Sequence, residues 1–339
     1  MIIYTGSLKQ AFTKVEKIKG EVLGYSIQVI EGKAYLVKSL KTSECRVLLD
    51  TEGKLDEIDL TQKVLKTLSL VKESVLEVNI TDRKITTNKR MIKLPKESKI
   101  HHYIKADSLV ESIIISTDEY KTLMQTTDFI ASDDIRPILK AVSFNNGEVC
   151  SLDGYRLCLR KGNFKLNNQY NVDGDLLKNT LKVIDKTNKI INIDFSKDYA
   201  VITIDNTVII SKLIEGAYVK YHQLLPEDYN TKVVLDVKEL LEECNFLYKI
   251  TEDYNHTVKF AFNDKCILSD LDNTTINING YHKDGDSIDI AINNTYLIGT
   301  LKYFGESVTL EMESNLKPII FKSDRINGLN LVLPIRLMK

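Results

Sequence analysis

The chain contains no tryptophan, and proline and glycine are sparse, with 5 and 15 among 339 residues. Flexible linkers and low-complexity segments are usually rich in proline, glycine or serine, so the composition gives no sign of a long linker. No apolar run approaches the roughly 18 residues that a membrane-spanning helix needs. The amino terminus, "MIIYTGSLKQ", lacks a signal-peptide pattern. We therefore expect a soluble, cytoplasmic protein.

Paired cysteines are also lacking. The five cysteines are scattered and none forms a CxxC pair; they are Cys45, Cys150, Cys158, Cys244 and Cys266. An odd, dispersed set favours reduced thiols over a disulfide framework.

Neither sign of charge is in excess. The chain has 46 basic and 47 acidic residues and a formal net charge of -1. This balance argues against a protein that grips nucleic acid through bulk charge, although a locally basic surface remains compatible with it. Hydrophobic residues make up 43% of the chain, which is enough for a core in each of two or three domains.

The motifs of common enzymes and cofactor sites are missing. The sequence has no GxxxxGK[ST], GxGxxG or HExxH. His101 and His102 are adjacent, so in a strand they would point to opposite faces, and a solvated loop is favoured over a metal site. The segment "HKDGDSID" from His282 lacks the spacing and terminal glutamate of a calcium loop, and a hairpin turn is favoured there. We expect no catalytic site and no cofactor.

Three segments share the order of a short apolar strand, a polar cap and an amphipathic helix. They read "MIIYTGSLKQAFTKV", "SIIISTDEYKTLMQTTDFI" and "KVVLDVKELLEECNFLYKI". The predicted caps are Ser7, Thr117 and Asp236. Apolar residues at helical spacing would form the inner faces, namely Leu8, Ala11, Phe12, Val15 and Ile18, then Tyr120, Leu123, Met124 and Ile130, then Leu240, Leu241, Cys244 and Leu247.

A second pattern of strand, helix, strand, tight turn and strand also recurs three times. It begins at Glu57, Tyr170 and Ile288. The period of about 115 residues is too long for a solenoid repeat and predicts three copies of one domain, at residues 1–113, 114–229 and 230–339. Each copy would be an α+β domain with two helices on antiparallel sheet. Chance similarity among alternating strands and helices is the alternative.

Lysines lie opposite the apolar faces of several predicted helices. Lys178, Lys182 and Lys186 share helical spacing opposite Leu177, Leu181 and Ile184, and Lys17 and Lys66 hold similar positions in the first copy. A solvated helix face and a phosphate-facing surface both fit this pattern. The third copy carries Glu239 and Glu242 on its polar face instead, which weakens the second interpretation.

Four segments resemble one known family. "DDIRPILKAVSF" from Asp133, "SLDGYRLCLRK" from Ser151, "SKLIEGAYVKYHQLLPED" from Ser211 and "LNLVLPIRLMK" from Leu329 are similar, in order and spacing, to segments of the bacterial sliding clamp, the beta subunit of DNA polymerase III. The resemblance covers residues 100–339 well and residues 1–100 more weakly.

The resemblance implies a head-to-tail homodimeric ring of six domains, in which this chain forms one half and duplex DNA threads the hole without sequence specificity. Such a clamp is not an enzyme: it tethers the DNA polymerase for processive synthesis, and a separate ATP-dependent clamp loader places it on DNA. A ring holds DNA topologically, so strong phosphate binding, with its counterion release, is unnecessary. The residues expected to face DNA are Lys17, Lys66, Lys178, Lys182 and Lys186.

The resemblance also implies a pocket that captures short motifs of polymerases, loaders and repair proteins. An apolar groove would take leucine and aromatic anchors, and a few polar groups would fix the peptide backbone. Transferred position by position, its wall comprises Leu139, Leu152, Gly154, Tyr155, Arg156, Leu157, Leu224, Asn293, Tyr296, Leu316, Leu331, Leu333, Pro334, Ile335 and Arg336.

The sequence departs from the family pattern at several positions. Leu152 replaces the usual threonine or serine, Tyr155 replaces histidine and Val219 replaces proline, while Met338 and Lys339 extend the tail. The first third of the chain is shortened. These departures predict a diverged clamp whose pocket prefers a different peptide.

Ring closure in the family pairs an edge strand of the first domain with one of the last. Here these edges would be the basic "TTNKRMIKLPK" from Thr86 and the acidic "LSDLDNTTINI" from Leu268, with opposite charge setting their orientation. Two unrelated solvated strands are the alternative. The corresponding alternative function is a clamp relative that no longer closes a ring and acts as a peptide-binding regulatory module.

Overall fold

The computed structural model describes residues 1–55, 57–94, 104, 108–254, 256–272 and 274–337. The helices found there are α1 (Thr5–Lys17), α2 (Gln62–Ser69), α3 (Thr117–Leu123), α4 (Gly174–Thr180), α5 (Val237–Ile250) and α6 (Asn294–Leu301). Short 3-10 helices span Met124–Phe129, Pro137–Lys140 and Tyr221–Leu224. None of the helices in the described part of the chain has the length and apolar composition needed to cross a bilayer.

The strands of the described residues pair antiparallel. They are β1 (Ile2–Tyr4), β2 (Val22–Ile30), β3 (Lys33–Leu40), β4 (Ser43–Leu48), β5 (Thr51–Glu52), β6 (Ile58–Leu60), β7 (Val75–Asn79), β8 (Lys84–Thr86), β9 (Met91–Lys93), β10 (Glu111–Ser116), β11 (Ala141–Asn145), β12 (Glu148–Leu152), β13 (Arg156–Lys161), β14 (Tyr170–Asp173), β15 (Ile190–Phe195), β16 (Tyr199–Ile204), β17 (Thr207–Lys212), β18 (Thr231–Asp236), β19 (Thr257–Phe262), β20 (Cys266–Ser269), β21 (Thr275–Ile278), β22 (His282–Gly285), β23 (Ile288–Asn293), β24 (Ser307–Met312), β25 (Ile319–Lys322) and β26 (Gly328–Val332).

The recurring order of elements predicted from the sequence is present. The strand–helix pairs are β1–α1, β10–α3 and β18–α5. The longer pattern occurs as β6–α2–β7–β8, β14–α4–β15–β16 and β23–α6–β24–β25. Helices on antiparallel sheet confirm the predicted α+β fold.

The helix starts follow the prediction at only one of three positions. Asp236 caps α5, since its carboxylate accepts from the backbone N–H of Glu239 at 2.8 Å. The cap of α3 is Ser116 rather than Thr117, because the Thr117 hydroxyl donates instead to the carbonyl of Asn188. Ser7 was also a wrong prediction: α1 begins two residues earlier, and the Ser7 hydroxyl accepts from the backbone N–H of Asp50.

Contacts divide the chain into two compact units. Unit 1 contains residues 1–124 and 164–214, and unit 2 contains residues 125–163 and 215–339. Unit 1 holds one sheet in the order β5-β1-β7-β8-β9 and another in the order β10-β15-β16-β17-β4-β3-β2-β6. The apolar face of α1 is buried in this unit, as predicted from its helical spacing.

Unit 2 has its own core beneath α5 and α6. Its strands run in the orders β11-β12-β13-β26-β25-β24-β18-β22 and β21-β20-β19-β23. Leu240, Cys244 and Leu247 of α5 pack with Leu297 and Leu301 of α6 in one fully buried cluster. At about 25 cal/mol per Å² of apolar surface removed from water, such clusters supply most of the driving force for folding.

Two strand pairings join distant parts of the chain. In unit 1, β4 pairs with β17, with Val47 opposite Thr207. In unit 2, β13 pairs with β26, with Leu157 opposite Leu331. Each pairing connects segments that the sequence repeat assigns to neighbouring copies, so the compact units follow continuous sheets rather than the repeat.

A buried lysine closes the carboxyl-terminal end of α1. The side chain of Lys38 is 4% exposed and forms an ion pair with Glu16 at 3.0 Å. The same ammonium donates to the carbonyls of Val15 and Ile18 at 3.3 and 3.0 Å, which satisfies acceptors that every helix end leaves free. Tyr25 also donates to Glu16, at 2.6 Å. This side-chain network ties the helix to the sheet.

Candidate partner-peptide site and basic surfaces

The turn between β12 and β13 is built around one aspartate. The Asp153 carboxylate accepts from the backbone N–H groups of Tyr155 and Arg156 at 2.9 and 2.7 Å. Gly154 lies in the left-handed region with φ of 94°, a conformation that costs little only for glycine. A side chain there would also approach the Arg136 guanidinium at 3.4 Å. The Asp-Gly pair therefore fixes both the turn and the direction of the residues that follow.

Arg156 is satisfied inside the protein. Its Nε and Nη2 atoms donate to the Asp153 carboxylate at 2.9 and 2.8 Å, and the two side chains are only 15% and 11% exposed. The guanidinium carbon lies 5.0 Å from the ring centroid of Phe129 and 4.6 Å from that of Tyr296. Arg156 thus joins the turn to two aromatic rings by an ion pair and two cation–π contacts.

A helix glycine provides the space for this guanidinium. A Cβ atom at Gly299 in α6 would lie 3.2 Å from the Arg156 Nη1 atom. Glycine costs a helix interior roughly 0.5–1 kcal/mol relative to alanine, so the close approach of Arg156 explains its presence in α6.

Tyr155 occupies the exposed side of the same turn. Its side chain is 60% exposed, and its ring stacks on Tyr296 with centroids 5.8 Å apart and planes inclined by 26°. Stacked rings offer a flat, rigid apolar face. The Tyr155 carbonyl accepts from the backbone N–H of Leu333 at 2.9 Å, so the carboxyl-terminal tail runs directly beside this aromatic face.

The tail is held on two sides. After the hydrogen bond at Leu333, the backbone N–H of Ile335 donates to the carbonyl of Ala291 at 2.8 Å. A cavity of about 230 Å³ lies next to the tail, and its lining includes Ala291, Leu316, Ile335, Arg336 and Leu337. Lys259, Asp289 and Asn315 also line it, so apolar and charged side chains together surround a cavity suited in size to a single side chain.

All fifteen predicted wall residues belong to unit 2. Four form a buried base: Leu139, Leu152, Leu157 and Leu331. Six are exposed at the surface: Gly154, Tyr155, Leu224, Leu316, Leu333 and Arg336. Five are partly buried: Arg156, Asn293, Tyr296, Pro334 and Ile335. The arrangement of buried leucines beneath exposed aromatic and aliphatic groups fits a shallow peptide groove.

Two of these residues also support the surrounding elements. Asn293 caps α6 by accepting from the backbone N–H of Tyr296 at 3.2 Å. Leu224 ends a 3-10 helix that is anchored by Glu148, whose carboxylate bonds to the Tyr221 hydroxyl and the His222 ring, both at 2.8 Å.

Three residues of the site were not anticipated. Asp153 and Phe129 hold Arg156, and the Asp128 carboxylate accepts from Lys302 and Tyr303 of the segment after α6. Burial, followed by the hydrogen bond to Asp128, raises the pKa of Tyr303 far above its usual value. Asp153 could have been found, since an acceptor three residues before an arginine in an Asp-Gly turn is placed to bond it. Phe129 gave no signal in the sequence.

The predicted stripe of lysines in the middle of the chain does not lie on one helix. Helix α4 ends at Thr180, so Lys182 and Lys186 follow the helix rather than continue its face. The Lys182 ammonium folds back to the Asn179 amide oxygen at 2.7 Å. Lys178, Lys182 and Lys186 are nevertheless all exposed. Leu177 is buried as expected, whereas Leu181 and Ile184 are only partly buried.

Lys17 and Lys66 lie in the last turns of α1 and α2. Lys66 is exposed and Lys17 is partly buried. A cation at this end of a helix is stabilised by the macrodipole, typically by about 0.3–1 kcal/mol. Their positions are therefore explained by the helices alone and also permit contact with an anionic partner.

No group of three or more histidine, cysteine, aspartate or glutamate side chains in the described ranges is arranged to hold a metal ion. His101 and His102 lie outside those ranges. The hairpin turn predicted at His282 was wrong: residues His282–Gly285 form β22, which pairs with β18.

The central part of the chain, residues 114–220, matches the family model described as "DNA polymerase III beta subunit, central domain". The beta sliding clamp of Staphylococcus aureus is 26% identical over 246 residues, which cover 67% of this chain and 64% of that protein. The aligned part thus spans just under two thirds of the length of the curated relatives.

Solved structures share the fold over almost the whole chain. The DNA polymerase III beta subunit assigned in Eubacterium rectale superposes with a TM-score of 0.89 at 22% identity, covering 99% of both chains. The beta chain from Streptococcus pneumoniae gives a TM-score of 0.87 at 21% identity, again over 99% of both chains. The family model, the curated relatives and the solved structures agree: the chain has the fold of DNA polymerase III beta subunits, and its central part resembles the beta sliding clamps.

Proposed function

We propose that two copies of this chain close head to tail into a ring around duplex DNA and tether a DNA polymerase and other partners for processive synthesis. The observation that carries the proposal is the fold, shared with beta subunits over 99% of the chain. In this proposal residues 1–113, 114–229 and 230–339 are three domain copies, and the chain works in the cytoplasm without catalytic residues or a cofactor. Because the sequence has no phosphate-binding loop for ATP, a separate ATP-dependent loader opens the ring.

Two strands that lie at sheet edges in the described part of the chain support ring closure. Strand β9 is the last strand of its sheet in unit 1, and β21 is the last strand of its sheet in unit 2. An exposed edge invites another strand unless it is blocked. Met91 in β9 is 58% exposed, and Phe246 and Ile250 are 48% and 43% exposed on α5, the helix that packs against β21. Exposed apolar side chains beside an unpaired edge favour burial against a second chain.

The charges at these edges are complementary in part. Lys89 and Lys93 are exposed beside β9, and Asp272 is exposed beside β21. Asp270, counted in the acidic edge from the sequence, is only 3% exposed because its carboxylate accepts from the backbone of its own turn at Asp272 and Thr274. The acidic edge is therefore weaker than predicted, and apolar contact carries more of the proposed interface.

We expect Phe246→Glu combined with Ile250→Glu to abolish dimer formation, because two desolvated charges at the edge would oppose its burial. Sedimentation or light scattering should give a mass near 38.6 kDa for the variant and twice that for the native protein. Ile114→Glu is a matched control, since Ile114 is 69% exposed on another sheet. A native protein that stays monomeric at micromolar concentration would instead favour a peptide-binding regulatory module that closes no ring.

The encirclement of DNA predicts topology-dependent retention. Protein loaded on a nicked circular duplex should remain bound in moderate salt and dissociate once a restriction enzyme creates free ends. Equal retention on circles and on linear duplex would show that the protein is held by direct binding, which the near-zero net charge does not favour.

We expect reversal of Lys178, Lys182 and Lys186 to glutamate to impair loading or sliding while leaving the dimer and peptide binding intact. Removing favourable phosphate contacts should lower processivity and reduce its salt dependence. Lys165→Glu with Lys197→Glu is a control in the same unit, since both lysines are exposed. Normal processivity in the triple variant would exclude these lysines from the DNA-facing surface.

The groove in unit 2 is proposed to bind the partner peptides. Its stacked tyrosines, buried leucines and the cavity beside the tail suit leucine and aromatic anchors. Leu152 and Tyr155, the two departures from the family pattern in the turn, contribute the base and the exposed aromatic face respectively, so the preferred peptide is expected to differ from that of other clamps.

A further inference from the structure

A fully buried arginine lies in unit 2 outside the peptide groove. Arg160, at 0% exposure in β13, is among the largest completely buried side chains of the described residues. Its Nε atom donates to the Gln125 side-chain oxygen at 2.9 Å, and Nη1 donates to the carbonyl of Leu329 at 3.1 Å and to the Asn330 side-chain oxygen at 2.8 Å. Each of these acceptors is neutral, so none of them offsets the charge of the guanidinium.

Two buried donors at this position lack an acceptor. Within the described residues, neither Nη2 of Arg160 nor Nδ2 of Asn330 has a hydrogen-bond partner, and Asn330 is also 0% exposed. Nη1 and Nη2 share one carbon, as do Oδ1 and Nδ2, so the 2.8 Å bond between the side chains keeps the free donors within about 7 Å of each other. A single acceptor about 3 Å from each donor can bridge separations up to about 6 Å, which is most of the range that this bond allows.

We propose that a monovalent halide ion, chloride under physiological conditions, binds between Arg160 and Asn330. Buried polar groups without partners are rare and indicate a missing ion or water. A water molecule would bring two protons of its own that need acceptors, whereas both free groups here are donors. A halide only accepts. It also neutralises a buried cation, whose isolation from water is otherwise costly.

The bound anion supports the peptide groove from below. Gln125, held by Arg160, belongs to the 3-10 helix Met124–Phe129, and the last residue of that helix packs its ring on Arg156. Fixing Arg160 therefore fixes the segment that positions Arg156. This role does not depend on ring formation or on DNA.

The direct test is a crystal of the full-length protein grown in bromide, with diffraction recorded at the bromine absorption edge. We expect an anomalous peak in contact with Nη2 of Arg160 and Nδ2 of Asn330. An ordered water without anomalous signal, or closure of the space by protein atoms, would overturn the proposal.

The solution test compares thermal unfolding in sodium chloride and sodium gluconate at constant ionic strength. Because a ligand that binds only the folded state raises stability with its concentration, the midpoint should rise by about 5 °C on going from 1 to 300 mM chloride. Arg160→Met should remove this dependence. If that variant does not fold, Asn330→Asp provides a second test, since its carboxylate replaces the anion and should make the midpoint independent of chloride.

Asn327→Asp is the matched control, because the same change is made three residues away at an exposed position. It should retain the full chloride response. A native protein with equal midpoints in the two salts, or an Asn330→Asp variant that responds like the native protein, contradicts the proposal.

Discussion

Arg156→Ala is expected to lose about 3 kcal/mol of folding stability in unit 2, together with its affinity for partner peptides. The substitution removes an ion pair that is mostly shielded from water, and breaking such a pair from one side costs about 3–5 kcal/mol when burial is complete. It also removes two cation–π contacts of about 0.5–2 kcal/mol each. Asp153 would retain its backbone bonds, which limits the loss. Chemical denaturation and calorimetric titration with a synthetic peptide carrying leucine and aromatic anchors measure the two effects.

Two further variants separate structure from recognition. Arg156→Lys keeps the charge but not the fork-shaped geometry, so an intermediate loss of stability is expected. Tyr155→Ala should weaken peptide binding with little change in stability, because its ring is 60% exposed. Arg136→Ala is a control at an exposed arginine near the turn. If the Arg156→Ala variant has the same denaturation midpoint as the native protein, the contacts around the guanidinium do not stabilise the unit.

Lys38→Met should destabilise unit 1 by about 3 kcal/mol. The change leaves Glu16 without its cation and leaves the carbonyls of Val15 and Ile18 without their buried donor, and losses of about 1–3 kcal/mol follow from each unsatisfied buried group. Adding Glu16→Gln should recover part of the loss, since it removes the unpaired charge. A double variant that is no more stable than Lys38→Met would show that the ion pair contributes nothing beyond the helix-end hydrogen bonds.

The network of Glu16, Lys38 and Tyr25 contributes to folding stability in a pH-dependent way. Burial acts to raise the pKa of Glu16, but hydrogen bonds from Tyr25, Lys38 and Gln62 outweigh it and bring the pKa below its ordinary value of 4.5. A carboxyl group whose pKa is lowered by folding stabilises the protein above its unfolded pKa, and this contribution is lost as the pH falls through the folded pKa. The stability difference between native protein and Lys38→Met should therefore narrow in acid below pH 4.5. A stability difference that stays constant below that pH would exclude ionised Glu16 as the ion-pair partner of Lys38.

The recurrence of elements was predictable because it rests on local signals. Apolar spacing in the segments of α1 and α5 indicates helices whichever partners they pack against. Caps were less predictable, because a hydroxyl such as that of Thr117 can bond several groups. Its bond to the Asn188 carbonyl depends on a loop more than seventy residues away. The predicted length of α4 was also wrong. Helical spacing at Lys182 and Lys186 does not require the chain to remain helical there.

The peptide site shows the same limit. The resemblance to sliding clamps predicted the wall residues of the proposed groove, and in the structure Tyr296 and Leu333 both contact Tyr155. The resemblance could not show that Arg156 is enclosed by Asp153 and two aromatic rings, because cation–π contacts depend on side-chain directions set by the tertiary fold. Arg160 was missed altogether: at the end of an apolar strand an arginine is expected at the surface, and only the structure shows it buried.

The pairing of β4 with β17 has a consequence for synthesis of the protein. Strand β4 ends at Leu48, but its partner is complete only when Lys212 has left the ribosome. Until then the edge of a half-built sheet is exposed, and contacts between such distant segments form slowly because a long loop must close. In unit 2, β13 likewise lacks this partner until β26, Gly328–Val332, has been synthesised. A nascent chain stalled before residue 328 should therefore remain sensitive to protease at β13 and bind chaperones there.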